Sequence, residues 1–183
     1  FDFEFTAMQV LDMIGGELVV NPDHLLSFTG SSFHSSYDAI ITADSGVSLH
    51  DGAKLHLYLS DLNSGGKLSL QDQSELELIY STITVAELEA SGNSSLHVLQ
   101  GTSDITIASM EFHDNAVIEV LPGAQLRLNH TNLLYISNSP ATIDVGGALN
   151  ISYGSQVVTN RTFTITDADL VVDGEFILEV VVP

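Results

Sequence analysis

A short pattern returns along this chain seven times with different amino acids and one shape. It is an apolar-x-apolar strand, a polar or glycine-containing corner, and a second apolar-x-apolar strand. It reads ELVVNPDHLLSF at 17–28 and GVSLHDGAKLHL at 46–57, then KLSLQDQSELEL, SLHVLQGTSDITI, VIEVLPGAQLRL, TIDVGGALNI and DLVVDGEFIL. Taking Val20, Leu49, Leu70, Val98, Val120, Val145 and Val172 as equivalent gives steps of 29, 21, 28, 22, 25 and 27 residues. One such unit cannot bury its own apolar face and must stack on a neighbour, so a period of about 20–50 residues points to a solenoid.

Successive strand side chains face opposite sides. Leu55, Leu57, Leu76, Leu78, Ile105, Ile107, Leu126 and Leu128 are therefore expected to point inward, and His56, Glu77, Thr106 and Arg127 outward. Length variation falls in SDLNSGG, STITVAELEASGNS, SNSPA and SQVVTNRTFTITDA, which read as loops leaving one side of the stack. Residues 1–16 read as an N-terminal cap segment. Phe1, Phe3 and Phe5 alternate with acids, and TAMQVLDMI suits either one or two helical turns stopped by Gly15-Gly16 or a bent strand entering the first coil. Residues 17–183 read as the coils of an all-β chain, about seven of them, stacked into a rod about 34 Å long.

The pattern resembles the irregular right-handed parallel β-helix of the pectin-lyase-like superfamily and its surface-protein relatives, over residues 17–183. The competing architecture is an antiparallel sandwich or jelly roll, since alternation fits both. Asp51-Gly52 and Asp173-Gly174 lie between short strands as hairpin turns do.

Composition bounds the partners. Acidic residues number 24 of 183, an ordinary share, but Lys54, Lys67, Arg127 and Arg161 are the whole basic complement and the net charge is −20. Such a surface repels nucleic acid and other polyanions. No apolar stretch approaches the roughly 18–20 residues of a membrane-spanning helix. Cysteine is absent, which removes disulfides, thiol catalysis and thiolate metal sites.

Four Asn-x-Ser/Thr sequons, at Asn93, Asn129, Asn150 and Asn160, are candidate N-glycosylation sites in an extracellular setting. A start at Phe1 and a stop just after FILEVVV read as a processed chain or a stretch of a longer one. Phe176, Ile177, Leu178, Val180, Val181 and Val182 form a candidate assembly edge. An open coil end offers unpaired strand groups to more of its own chain or to another subunit.

Catalytic and cofactor chemistry finds little purchase. The basic residues are dispersed, and the Asn-Thr-Asp, Asp-Asp and Gly-His-Gly motifs of β-helical glycoside hydrolases are missing. The acid pairs Glu75/Glu77 and Glu87/Glu89 lie two residues apart on outward strand positions, as a solvated surface requires. In this alignment His50 and His56 stack on Gln71 and Glu77 and then on Leu99 and Thr106, so no histidine ladder and no metal site is expected. Asp167, Asp169, Asp173 and Glu175 fail the calcium-loop pattern because Val171 holds its fifth position. The pairs Thr82/Thr84, Thr162/Thr164 and Thr164/Thr166 do not recur coil after coil as an ice-binding face would need. The expectation is a non-catalytic extracellular structural or adhesive module without cofactor. A carbohydrate-binding face near Tyr58, Tyr80 and Tyr135, engaging surface glycans, is the alternative.

Overall fold

Leu, Ile, Val and Phe at alternate positions give each strand one apolar side. Three such sides turned toward one axis bury all of them. In the computed structural model the described residues form twenty strands and no helix. The described residues are 3–6, 10–30, 32–121, 124–129, 132–135, 142–145, 148–151, 156–159, 163–165, 169–172 and 175–178; at residues 3, 10, 11, 32, 34–37 and 108–110, and from residue 128 onward, only the backbone is described.

Every pairing in register is parallel, and the pairings run in three ladders. The first face stacks Phe3–Phe5, Leu26–Thr29, Gly46–His50, Lys67–Leu70, residues 87–90 and residues 109–112. Asn132–Tyr135, Gln156–Thr159 and Glu175–Leu178 continue it. The second face stacks residues 10–14 and 32–36, Lys54–Tyr58, Glu75–Ile79, residues 95–98, Val117–Val120, Thr142–Val145 and Phe163–Ile165. The third holds residues 16–20 and 39–43, Asp61–Asn63, residues 82–84 and 101–106, Ala124–Asn129, Ala148–Ile151 and Asp169–Val172. The result is a parallel β-solenoid whose second and third faces each stack eight described rungs, close to the seven coils expected.

The core is a set of columns. Phe33, Leu55, Leu76 and Leu96 follow one another in register on the second face, each fully buried. On the first face Phe28, Leu49, Leu70, Ala90 and Phe112 do the same, and Phe5 stacks on Phe28 with ring centroids 5.2 Å apart. Burying each large aliphatic side chain contributes about 1.5–3 kcal/mol, so every rung is held chiefly by its two neighbours.

The corners carry the chain from face to face. Between the first and second faces Asp51, Asp72, Gly92 and Asp114 take the left-handed conformation on successive turns, with φ of 52°, 61°, 69° and 56°. Between the second and third faces Asp38, Leu59, Tyr80 and Gly101 do so. At the third corner Gly66 is forced by contact, since a Cβ there would lie 2.4 Å from the Ser45 carbonyl oxygen.

Several expectations change here. The antiparallel sandwich is not formed. Asp51-Gly52 is a corner whose flanking strands pair with other turns, not with each other. Asp173-Gly174 lies outside the described residues. Segments 60–66 and 81–94 are not loops: they contain third-face strands whose Leu62, Ile83 and Val85 are buried core. Of the two readings of the segment before Gly15-Gly16 the bent strand holds: residues 10–20 are one strand, with Gly15 and Gly16, at φ of 66° and 82°, forming its corner. The seven aligned residues are not all equivalent either. Val20 and Val172 belong to the third face, Leu49 and Leu70 to the first, and Val98, Val120 and Val145 to the second. Each turn has three similar corners, so a local pattern can be shifted by one face without breaking its alternation. True steps between turns are 20–22 residues along Phe33, Leu55, Leu76, Leu96 and Ile118.

Candidate functional site: the polar columns of the outer faces

Outward positions also stack in columns, each side chain about 4.8 Å from the equivalent one above and below. A column made entirely of titratable residues lies on the second face. Its register runs Asp12, His34, His56, Glu77, His97, Glu119, Asp144. His56 Nδ1 lies 2.7 Å from Glu77 Oε2, and His97 Nδ1 lies 2.7 Å from Glu119 Oε2. All four side chains are partly exposed. Glu77 follows His56 as expected, but the next turn supplies His97 where Thr106 was expected, and the previous one supplies His34. The signal was present in the sequence as titratable residues at steps of 20–25, visible once the period is taken along one face.

Beside this column Lys54 Nζ donates to Glu75 Oε2 at 2.5 Å. That hydrogen bond raises the lysine above its ordinary pKa of 10.5, partial burial opposes it, and the negative charges of Glu75 and Glu77 add to it. On the first face Lys67 pairs with Glu89, and His113 Nε2 stands 3.7 Å from Glu89 Oε1 and 3.5 Å from Glu111 Oε2. Glu75 and Glu89 thus hold lysines across rungs, and Glu77 bonds the His56 ring. On the third face Arg127 reaches Asp104 at 3.6 Å. Thr82 and Thr84 sit between Asp61 and Asn63 on one side and Asp104 and Thr106 on the other, so the threonine pair does not repeat. Among the described residues no group of three or more His, Cys, Asp or Glu is arranged to hold a metal ion.

The corners hold two contrasting serine columns. Ser60, Ser81 and Ser103 bond upward: Ser60 N–H donates to Ser81 Oγ and Ser81 N–H to Ser103 Oγ, while the Ser60 and Ser81 hydroxyls donate to the carbonyls of Tyr58 and Ile79. Ala53, Ser74, Ser94 and Ala116 make the other column, all fully buried. There the two serine hydroxyls have no hydrogen-bond partner among the described residues. Outside that corner lies an open groove lined by Asp51, Gly52, Asp72 and Gln73.

Of the sequons, Asn93 is exposed at the first corner, where its Oδ1 accepts a bond from Asn115 Nδ2 at 3.0 Å. Asn129 is in register with Thr106, and Asn150 with Arg127. Asn160 lies outside the described residues. Tyr58 and Tyr80 flank the second corner, whereas Tyr135 is in register with the buried Phe112 on the first face. The three tyrosines therefore belong to no single platform. Phe176, Ile177 and Leu178 belong to the first-face strand Glu175–Leu178, paired with Gln156–Thr159. Val180, Val181 and Val182, like Asp167 and Asp173, lie outside the described residues; Asp169 and Glu175 open separate strands.

Compared with protein-family models, with curated proteins and with solved structures, the chain finds no match.

Proposed function

We propose that this chain is a rigid, non-catalytic module of an extracellular or cell-surface protein, built on the right-handed β-helix plan of the pectin-lyase-like superfamily. It would serve as stalk, display surface or filament segment. The observation that carries this reading is the uniform parallel register of three ladders. A parallel ladder offers at each end the same row of backbone groups that joins its interior rungs, so further turns or a second subunit add by the same pairing. Among the described residues Glu175–Leu178 is paired on one side only, with Gln156–Thr159. The outer columns suit a passive surface, being polar side chains tied between rungs by two Lys–Glu ion pairs and two His–Glu hydrogen bonds. Exposed Asn93 suits a carried glycan.

The test is mass spectrometry of the protein from its natural source, cut with Asp- or Glu-specific proteases because only four residues are tryptic targets. Peptides running past Phe1 or Pro183, with hexose on any of the four sequon asparagines, are expected. Unmodified asparagines throughout, in protein recovered from inside the cell, would sink the extracellular reading.

A further inference from the structure

We propose that the corner between the second and third faces is a docking ridge for an extended, proline-rich polypeptide segment that carries arginines. Five large apolar side chains stand exposed among the described residues: Ile14, Val19, Ile40, Leu59 and Tyr80. Scattered singly such side chains are ordinary, but gathered on one side of a molecule they mark an interaction surface. Here they are gathered. Ile14 is the last second-face residue of its turn, Leu59 and Tyr80 are corner residues on successive turns, and Val19 and Ile40 lie on the third face. The first face has none of them.

The corner itself does not require these side chains. Leu59 and Tyr80 both hold φ of 50°, a conformation that asparagine or glycine adopts far more readily. Asp38 and Gly101 fill the same position on the turns either side. Tyr80 is also fixed. A Cβ on Gly101 would collide with its ring, so the ring lies along the corner over the next turn, with the residue 48% exposed. An aromatic ring already held in place loses little freedom on meeting a partner.

Charge selects the partner. Glu17, Ile40, Asp61, Thr82, Asp104 and Arg127 follow one another in register beside the ridge. Carboxylates therefore recur there on alternate rungs, about 9.6 Å apart. On the other two faces lysines and histidines bond Glu75, Glu77, Glu89 and Glu119. No described cation bonds Glu17, Asp38 or Asp61. Asp104 displays the contact these lack, since Arg127 of the next rung reaches it at 3.6 Å. In the polyproline II conformation every third side chain returns to one side after about 9.3 Å, and the backbone needs no partner strand. Arginine at every third position thus matches the acid spacing. Its guanidinium pairs with a carboxylate or lies on the Tyr80 ring, and the prolines between meet Leu59 and Ile40. A second copy of this chain, itself at −20, is repelled from the same edge.

The experiment is isothermal titration of the protein with a synthetic peptide of five Arg-Pro-Pro repeats. It is run at about 0.15 M salt, where exposed charges more than about 8 Å apart are screened. Saturable binding of one peptide per chain is expected. Tyr80→Asn should weaken it about tenfold or more, as loss of an aromatic anchor does, while leaving the melting temperature unchanged or higher. Asp61→Asn should weaken it, and Asp72→Asn, the same charge change at another corner, should not. In the unsubstituted protein the peptide should shift the amide resonances of Leu59, Tyr80 and Asp61 and not that of Asp72, a readout that needs no variant to fold. Absence of saturable binding, or equal loss with Asp72→Asn, would overturn the assignment. So would binding of a neutral oligosaccharide such as cellohexaose, lost in Tyr80→Asn, where the peptide does not bind.

Discussion

Replacing both Ser74 and Ser94 by alanine should make this protein more stable. The two hydroxyls are fully buried on adjacent turns of one corner column and have no hydrogen-bond partner among the described residues. A buried hydroxyl without a partner costs about 1–3 kcal/mol in lost hydration. Removing it forfeits a few contacts of about 0.1–0.2 kcal/mol each. The net gain is about 1 kcal/mol per site, and about 2 kcal/mol for the pair. The column already accepts methyl groups, since Ala53 and Ala116 occupy the same position on the turns either side. For a chain of this size 1 kcal/mol moves the melting temperature by about 2–4 °C, so the double variant should melt about 4–8 °C higher. Differential scanning calorimetry, checked by urea denaturation, measures it. Ser81→Ala is the matched control. It removes the acceptor of the Ser60 N–H and the donor to Ile79 O, and should destabilise by about 1–3 kcal/mol. A double variant melting at or below the parent temperature would refute the reasoning, because the hydroxyls would then be bonded inside the corner.

Two further outcomes follow from the ladders. Leu76→Ala, in the middle of the second-face core column, should cost about 2–5 kcal/mol, and hydrogen exchange should rise first on the rungs of Leu55 and Leu96, its register neighbours, before that of Phe5. Lys54→Met should narrow its stability deficit at high pH. The folded lysine has a raised pKa, so its contribution is complete below the ordinary value of 10.5 and is lost as pH rises through the folded value. The ammonium is 48% exposed, which limits the pair to about 0–1 kcal/mol. Urea midpoints of parent and variant should differ constantly from pH 7 to 9 and converge above 10.5; a gap that widens there contradicts the sign.

Much of this architecture was legible in the alternation alone. Leu55, Leu57, Leu76, Leu78, Ile105, Ile107 and Leu126 are buried as expected, and His56, Glu77, Thr106 and Arg127 are not. What the residues could not show locally was which corner stacks on which. A strand–corner–strand phrase is the same whether it bridges the first and second faces, as at Asp51, or the second and third, as at Leu59. The period becomes visible only when one column is followed through all its rungs. That same ambiguity hid the candidate site. His34, His56 and His97 are unrelated while the frame slips between faces, and fall into line when it does not. Leu59 and Tyr80 carried no warning at all, because bulky residues seldom adopt the left-handed conformation they hold here.

Between Val47 and Leu68, Leu55 and Leu76, and Leu62 and Ile83, all three faces advance by the same 21 residues. The chain thus revisits each side of the prism after an equal walk, and a whole circuit is interchangeable with its neighbour. Length in such a molecule is counted, not shaped. Duplication or loss of one circuit changes its reach by about 4.8 Å and gives new neighbours only to the side chains of the turns that meet at the join.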